Sequence, residues 1–318
     1  MLKSNLAIFT LLLFFLSGCS ESIRELESRI KKQAEKNSTE MSAMEIKQTA
    51  IYLNEWSKED FFQDDVNEFL EADKADFPEG IEILFAGSSS IRFWKSLEKD
   101  MNPLKVLNRG FGGAQISHVN YHFEEVIKPY NPEAIVFFCG TNDIAALKTP
   151  EETIDAFKIF LDKVRTDLPS THVFVIGIKP SVAREYLKEE ELSYNKSIQD
   201  MSRSDDLLTF IDVWDEMLTD DGKPNPDLYV DDGLHMNEKG YVVWTKLVRE
   251  NLDYYLVVCR AEPENNINIE EFSDIPRAIG NSNSVNILIE RENKIINKSF
   301  DLIFNEELNK FVIGISSP

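Results

Sequence analysis

The sequence predicts an α/β protein built on a five-stranded parallel sheet. From Ile81 onward, short apolar runs alternate with longer amphipathic stretches. The short runs are almost continuously apolar, as expected for strands that are buried on both faces. The alternation is typical of parallel sheets, since each crossover between neighbouring strands needs a long connection, usually a helix. These observations place helices on both faces of a single sheet.

Each element of this sheet follows from its local pattern. Apolar runs predict strands over residues 81–87, 105–110, 133–140, 172–178 and 207–213. Amphipathic stretches predict helices over residues 90–100, 114–130, 150–168, 183–205 and 237–256. The resulting architecture is a flavodoxin-like three-layer sandwich. In such sheets, ligands bind at the carboxyl ends of the strands.

The alternation of strands and helices stops after about Cys259. Residues 260–318 contain segments of period two, which are broken at residues 292–293 and near residues 305–309. This pattern predicts a small antiparallel β extension at the C-terminus. The extension suggests no function of its own.

The N-terminus reads as a lipoprotein signal peptide over residues 1–18. Lys3 precedes an apolar run from Leu6 to Leu16, which is too short to span a bilayer comfortably. The following "LSGC" resembles the bacterial lipobox, in which cleavage leaves a lipid-bearing cysteine, here Cys19. An ordinary secretory signal is the alternative. The lipobox resemblance implies a protein anchored by lipid on Cys19 in a bacterial cell envelope, outside the cytoplasm.

The segments between the signal and the sheet differ in composition. Residues 19–60 are rich in Glu, Lys and Ser and predict a polar tether that contains a solvated helix. "FFQDDVNEFLEADKA" carries apolar residues at helical spacing and predicts a helix docked on the main domain. The main domain is therefore assigned to residues 61–259, including this docking helix.

The charge balance excludes one class of partner. The 318 residues include 34 Lys and Arg against 56 Asp and Glu, a formal net charge of −22. Nucleic-acid binding needs clustered Lys and Arg, so we expect no nucleic-acid partner. The hydrophobic content of 42% is sufficient for a sizeable core. Cys139 ends a predicted core strand, and we expect its thiol to be reduced.

Four unusual clusters follow the predicted strands. They lie at residues 87–90, 108–115, 139–145 and 230–241. Singly, each has an ordinary interpretation as a helix cap or a turn. Because all four lie at the strand ends, they can together supply the groups of acyl transfer: a nucleophilic serine, a base, an orienting acid and oxyanion donors. Gly113 and Asn142 are placed to supply such donors.

The choice of base rests on four histidines, His118, His122, His172 and His235. His172 opens a strand at the opposite end of the sheet. His118 and His122 are four residues apart on one helix, a spacing that suits zinc, but no third ligand accompanies them. His235 follows the last strand, with Asp231 and Asp232 just before it, and is the candidate base. Spacing alone does not choose among Ser88, Ser89 and Ser90.

These clusters resemble the conserved blocks of the SGNH hydrolases, also called the GDSL esterase/lipase family. The resemblance covers roughly residues 78–257. "GSSSIRFW" matches the block of the nucleophile, "NRGFGG" and "GTND" match the oxyanion blocks, and "DDGLH" matches the block of the acid and base. It implies Ser89, His235 and Asp232 as the catalytic triad, and Ser89, Gly113 and Asn142 as the oxyanion hole. Ser88 stands where the family has Asp, which puts the hydrogen bonding of that turn in doubt.

The resemblance implies a serine esterase that needs no metal or cofactor. Polar, acidic loops and the lack of a long apolar lid favour short O-acyl substrates of acetyl type, with acylated carbohydrates among the candidates. A lipase or phospholipid acylhydrolase is the alternative, and a non-catalytic binding lipoprotein on a hydrolase scaffold is a third. "SYNK" at residues 193–196 matches the S-x-x-K motif of serine β-lactamases, but it has no "KTG" partner in the chain.

Overall fold

The computed structural model describes residues 22–258 and the backbone of residues 284–291, 294–305 and 310–314; side chains are described as far as residue 252. Five parallel strands form the predicted sheet, in the order β2-β1-β3-β4-β5. They are β1 Ile83–Gly87, β2 Val106–Gly110, β3 Ala134–Phe138, β4 His172–Ile176 and β5 Leu208–Ile211. The order reverses between β1 and β3, which places a ligand crevice outside the carboxyl ends of these strands.

Helices cover both faces of the sheet, as the sequence predicts. In chain order they are α1 (22–36), α2 Ala43–Trp56, α3 Gln63–Ala75, α4 Ser89–Arg92, α5 Leu97–Asp100, α6 Ile116–Tyr121, α7 Phe123–Val126, α8 Thr141–Ala145, α9 Pro150–Asp167, α10 Lys188–Ser202 and α11 Glu238–Val258. Short 3₁₀ segments span Lys128–Tyr130, Val182–Leu187, Asp215–Met217 and Pro226–Leu228.

The two faces of the sheet have different cores because successive strand residues point to opposite sides. Leu84 and Phe137 belong to a cluster that includes apolar residues of α6, α9 and α10. On the opposite face, Phe85 meets the ring of Trp94 and Phe138 meets that of Trp244 on α11. All six side chains are buried. Burial on both faces explains why the strand sequences are apolar throughout.

The register of the strands brings the predicted clusters together. Gly87 at the end of β1 pairs with Gly110 of β2 and with Phe138 of β3. Gly87 has φ +131°, and a Cβ at this position would lie 2.0 Å from the carbonyl oxygen of Phe138. Only glycine allows the chain to turn here so close to the neighbouring strand. The clusters that follow β1, β2 and β3 therefore open onto one edge of the sheet.

The prediction of a polar tether over residues 19–60 is wrong for the two helices within it. Ile30 of α1 and three residues of α2, Ile46, Ala50 and Leu53, form a buried cluster with Ala146. The apolar anchors are few but spaced at one helical face, and tertiary packing buries them. The docking helix α3 packs through the fully buried Val66. Within the described part of the chain, no helix is long and apolar enough to cross a membrane.

The chain divides into two compact units, Met1–Val248 and Arg249–Pro318. The division falls within α11, ahead of the domain boundary predicted at residue 259. In the second unit, β6 Ser284–Arg291, β7 Lys294–Asn305 and β8 Lys310–Gly314 pair in sequence order and antiparallel. This arrangement agrees with the predicted antiparallel extension.

Candidate active site

The predicted nucleophile lies at the start of a short helix directly after β1. Ser88 occupies the N-cap position of α4, and Ser89 is the first helical residue. Ser89 is half-buried, whereas Ser88 and Ser90 are buried. Ser90 is the second helical residue, and its carbonyl accepts a hydrogen bond from Tyr241 Oη at 2.9 Å. Of the three serines, Ser89 is thus the one open to the crevice.

His235 and Asp232 form a hydrogen-bonded chain with Ser89. The distance from His235 Nε2 to Ser89 Oγ is 2.9 Å, and the distance from His235 Nδ1 to Asp232 Oδ2 is 2.6 Å. Asp232 Oδ1 also accepts the backbone N–H groups of Leu234 at 2.8 Å and of His235 at 2.9 Å. The loop thus folds around its own carboxylate. The two ring nitrogens of His235 have different partners, as a base that is oriented by an acid requires.

The carboxylate of Asp232 is held in its charged form. Its partial burial acts to raise the pKa, but the hydrogen bonds from the side chain and backbone of His235 and from Leu234 outweigh burial and lower the pKa below its usual value. An ionised carboxylate next to Nδ1 favours the imidazole tautomer with a proton on Nδ1. Nε2 is then free to accept the proton of Ser89.

The predicted oxyanion donors lie in the loops that follow β2 and β3, which are bonded to each other. Gly113 lies in the loop after β2 with φ +75°, a conformation that glycine adopts without strain. Asn142 lies in α8 after β3 and is buried; its Nδ2 donates to the Ala114 carbonyl at 2.9 Å. The second N–H of that amide remains for a ligand. The N–H of Ser89 belongs to the first helical turn, where N–H groups lack intrahelical partners.

Arg184 is a residue of this site that the sequence did not single out. Its Nη2 donates to Asn142 Oδ1 at 3.0 Å, and its Nη1 donates to the side chain of Thr141 at 2.9 Å and to the carbonyl of Thr141 at 3.1 Å. The bond to Oδ1 fixes which end of the Asn142 amide is the donor. Arg184 lies in the Val182–Leu187 segment and has non-helical dihedral angles of φ −123° and ψ 20°. The sequence predicts a continuous helix at this position. The structure has a kink at Arg184 instead, and this kink directs the guanidinium to Asn142.

Two buried charged residues, Lys179 and Glu191, contact the same loops. Lys179 Nζ donates to the carbonyl of Leu234 at 2.6 Å, next to His235. Glu191 accepts from the Thr141 hydroxyl at 2.9 Å. Burial lowers the pKa of Lys179 to about 7 and raises the pKa of Glu191 to about 7. Lys179 thus contacts the loop that carries His235, and Glu191 contacts the residue next to Asn142.

Other polar groups complete the walls of the site. Asp143 is fully buried and accepts the Ile116 N–H at 3.0 Å and the Lys148 ammonium at 2.8 Å, which ties the loop after β3 to α6. Burial raises the pKa of Asp143. The ring of Phe93 stands edge-on to the ring of His235 with centroids 5.0 Å apart. Phe93 is 40% exposed and gives the site an apolar rim beside the base.

The remaining sequence candidates are not part of the chain formed by Ser89, His235 and Asp232. Cys139 is a buried free thiol that donates to the Ala114 carbonyl, and burial raises its pKa well above the usual value. Lys196, of the "SYNK" stretch, forms an exposed ion pair with Asp200 on α10. Cys19 lies outside the described residues.

The site combines a serine, a histidine and an aspartate at the strand ends of a parallel sheet with N–H donors in the loops after β2 and β3. Such a set of groups is suited to acyl transfer. A family model described as "GDSL-like Lipase/Acylhydrolase family" matches residues 80–243. This stretch is more than half of the 318 residues. The chain belongs to the GDSL-like lipase/acylhydrolase family, the SGNH hydrolases that the four sequence blocks resemble.

Solved structures share the fold at low sequence identity. A Streptococcus pneumoniae protein described as a platelet activating factor superposes with a TM-score of 0.55 and 21% identity, over 67% of this chain and 100% of that chain. A GDSL-like lipase from Bacteroides thetaiotaomicron has a TM-score of 0.53 and 17% identity, over 60% of this chain and 98% of that chain.

One curated relative also matches in sequence. It is an N-acylneuraminate cytidylyltransferase from Escherichia coli O18:K1:H7, 24% identical over 195 residues and 61% of this chain. The match spans only 45% of that protein's length.

Proposed function

We propose that this protein is a serine esterase that hydrolyses short O-acyl esters of acetyl type, with acylated carbohydrates as candidate substrates. The observation that carries the proposal is the continuous chain of contacts from Ser89 Oγ through His235 to Asp232, at 2.9 and 2.6 Å. These distances lie within the range in which a base can take a proton from a nucleophile.

The proposed reaction proceeds through an acyl-enzyme. Ser89 Oγ attacks the ester carbonyl while His235 Nε2 takes its proton, and Asp232 stabilises the imidazolium that results. The N–H groups of Ser89 and Gly113 and the Asn142 amide hold the oxyanion. His235 then gives its proton to the leaving alcohol as the carbon–oxygen bond breaks. Water repeats the sequence and releases the acid and free Ser89.

The preference for short acyl groups rests on the surface around the site. The loop that leads to Asp232 carries the exposed acidic residues Asp220, Asp221, Asp227 and Asp231. Such a surface is unfavourable for docking on an anionic lipid bilayer or for covering a long acyl chain. Phe93 is the apolar side chain that stands against the ring of His235. A short acyl group is the substrate that these features favour over a fatty chain.

A panel of chromogenic esters of rising acyl length tests the substrate. We expect the highest kcat/KM with two to four carbons. In an extended apolar pocket, binding of the acyl chain would instead become more favourable by about 0.8 kcal/mol for each CH₂ buried. A steady rise in kcat/KM towards twelve carbons would refute the short-chain proposal and favour the lipase alternative.

Alanine variants of the three serines test the nucleophile. Ser89→Ala should lower kcat on the order of 10⁴-fold, the loss expected for a triad member. Ser88→Ala and Ser90→Ala should keep most of the activity, and they are matched controls on either side. An organophosphonate ester should add its mass to Ser89 alone. Near-full activity in Ser89→Ala, or an adduct on Ser88 or Ser90, would overturn the assignment of Ser89 as the nucleophile and with it the proposed triad.

We further propose that lipid on Cys19 anchors the protein in a bacterial cell envelope. The support is the "LSGC" sequence after the apolar run of the first 18 residues. A Cys19→Ala protein should move from the detergent phase to the aqueous phase in partitioning experiments. Unchanged membrane association of that variant would refute the anchor without touching the proposed esterase activity.

A further inference from the structure

The N-terminal helices contact the oxyanion loop directly. The family model matches from residue 80, so α2 and α3 lie outside it. The indole Nε1–H of Trp56, the last residue of α2, donates to the carbonyl of Gly113 at 3.0 Å. Gln115, two residues further along the loop, donates from Nε2 to the Ser57 hydroxyl at 3.2 Å. The last residue of α2 and the residue that follows it are therefore bonded to the two ends of the segment 113–115.

The Trp56 contact holds the peptide on the carboxyl side of Gly113, one of the two peptides that meet at this glycine. Glycine has the widest choice of backbone dihedral angles, so its N–H direction must be fixed by its neighbours. The Gly113 carbonyl is held by Trp56, and the next carbonyl, of Ala114, is held by Asn142 Nδ2 at 2.9 Å. The ring of Phe62 closes the remaining space, since a Cβ on Gly113 would lie 3.2 Å from its Cζ. The loop is thus bonded to Asn142 on one side and to the N-terminal helices on the other.

A second contact joins the same helices to the element that carries Ser89. Asp65 of α3 forms an ion pair with Arg92 at the end of α4, at 2.5 Å. The Arg92 guanidinium also lies 3.0 Å from the position that a Cβ on Gly112 would take. Half-exposed pairs of this kind contribute little to stability. The Asp65–Arg92 ion pair lies between α4 and the glycine loop, so we expect it to influence the geometry of the site rather than stability.

We propose that α2 and α3 are part of the catalytic machinery, in which Trp56 is a positioning residue that aims the Gly113 N–H at the oxyanion. This inference rests on the proposed esterase function and extends it to a segment outside the matched family region. A misplaced oxyanion donor weakens binding of the transition state more than binding of the substrate.

The test is Trp56→Phe in the full-length protein, which removes the indole donor and keeps an aromatic ring. Loss of a complete oxyanion donor costs about 10²–10³-fold in kcat, so a misaimed one should cost about tenfold. KM should change by less than about twofold, because the ground-state carbonyl depends little on this donor. Rates are expressed per active site, titrated with an organophosphonate ester. Ser57→Ala, which leaves the aromatic packing intact, should lower kcat in the same direction by a smaller factor.

Trp94→Phe is the matched control. It loses an indole hydrogen bond of 2.7 Å to Asp100, away from the Gly113 loop. Its melting temperature should fall while kcat per active site stays unchanged. An unchanged kcat in Trp56→Phe, or an equal loss of kcat in both variants, would overturn the positioning role. If Ser89→Ala is inactive, either of these Trp56→Phe results refutes the positioning role alone. An active Ser89→Ala refutes the proposed esterase function itself.

Discussion

Asp232→Asn should leave the fold intact and abolish most of the activity. The carboxylate accepts two backbone N–H groups on Oδ1, from Leu234 and His235, and the ring Nδ1 on Oδ2. An asparagine has a single acceptor oxygen, so that oxygen can face either the two backbone N–H groups or the ring Nδ1, but not both. With the oxygen towards the backbone it keeps two hydrogen bonds, whereas the reverse orientation keeps one and sets its NH₂ against two donors. At about 1 kcal/mol for a neutral hydrogen bond, the first orientation wins by at least ~1 kcal/mol.

That orientation changes the tautomer of His235, so that the imidazole can no longer act as a base towards Ser89. The NH₂ of the new asparagine then donates to Nδ1, and the imidazole must carry its proton on Nε2. In this tautomer Nε2 donates to Ser89 Oγ, at the observed spacing of 2.9 Å, and cannot accept its proton. We expect kcat to fall on the order of 10⁴-fold with little change in KM, as expected when the tautomer of a triad histidine is wrong.

The assay is steady-state hydrolysis of a chromogenic acetate ester by the full chain. Asp231→Asn, the same substitution one residue earlier on an exposed side chain, is the control and should keep kcat within about twofold. Circular dichroism should show equal folding of both variants. An Asp232→Asn enzyme with kcat within tenfold of the wild type would refute the role of Asp232 and the tautomer argument together.

Two further predictions follow from the buried polar groups. Arg184→Met should remove the donor that orients the Asn142 amide and lower kcat about tenfold with KM nearly constant; an unchanged kcat in steady-state kinetics would contradict this. Burial lowers the pKa of His172 to about 4, so between about pH 6.5 and 4 the unfolded chain binds more protons and stability should fall as the pH falls through this window. His172→Gln, which does not titrate and can keep a bond to Thr209, should lose less stability between pH 7 and 5 in urea unfolding; an equal loss in both proteins would contradict it.

The strands were predictable because burial on both faces constrains almost every residue in them. Each of the five apolar runs contains a strand of the sheet. The helical segments were less well predicted where they are short. The stretch 90–100 forms two separate turns, Ser89–Arg92 and Leu97–Asp100. In so few residues, tertiary contacts such as the burial of Trp94 outweigh the helical periodicity.

The docked N-terminal helices show the limit of reading composition alone. Residues 22–56 are polar enough to read as a solvated tether, yet four buried apolar residues fix them to the domain. One partner, Ala146, lies about 100 residues away in the chain, after α8. A polar helix needs only a narrow apolar stripe to dock, and the sequence does not show which surface receives it. The contact between Trp56 and Gly113 could not be foreseen for the same reason.

The candidate site likewise contains residues that a sequence motif identifies and a residue that only the fold identifies. Ser89, Gly113, Asn142, Asp232 and His235 stand in sequence blocks at strand ends, and the parallel topology brings these ends together. Arg184 has no block around it. It sits in an acidic amphipathic stretch that predicts a continuous helix, and only the kink before α10 directs it to Asn142.

The buried charges beneath the site connect two parts of the proposed mechanism. Lys179 holds the Leu234 carbonyl beside the base, and Arg184 holds the oxyanion asparagine. Both cations are largely removed from water, and burial lowers the pKa of each. The attraction of Glu191 acts on both in the opposite direction. A buried cation without such a partner would be strongly destabilising. Glu191 therefore offsets part of the cost of burying Lys179 beside the His235 loop and Arg184 beside Asn142, although none of these three residues carries a motif.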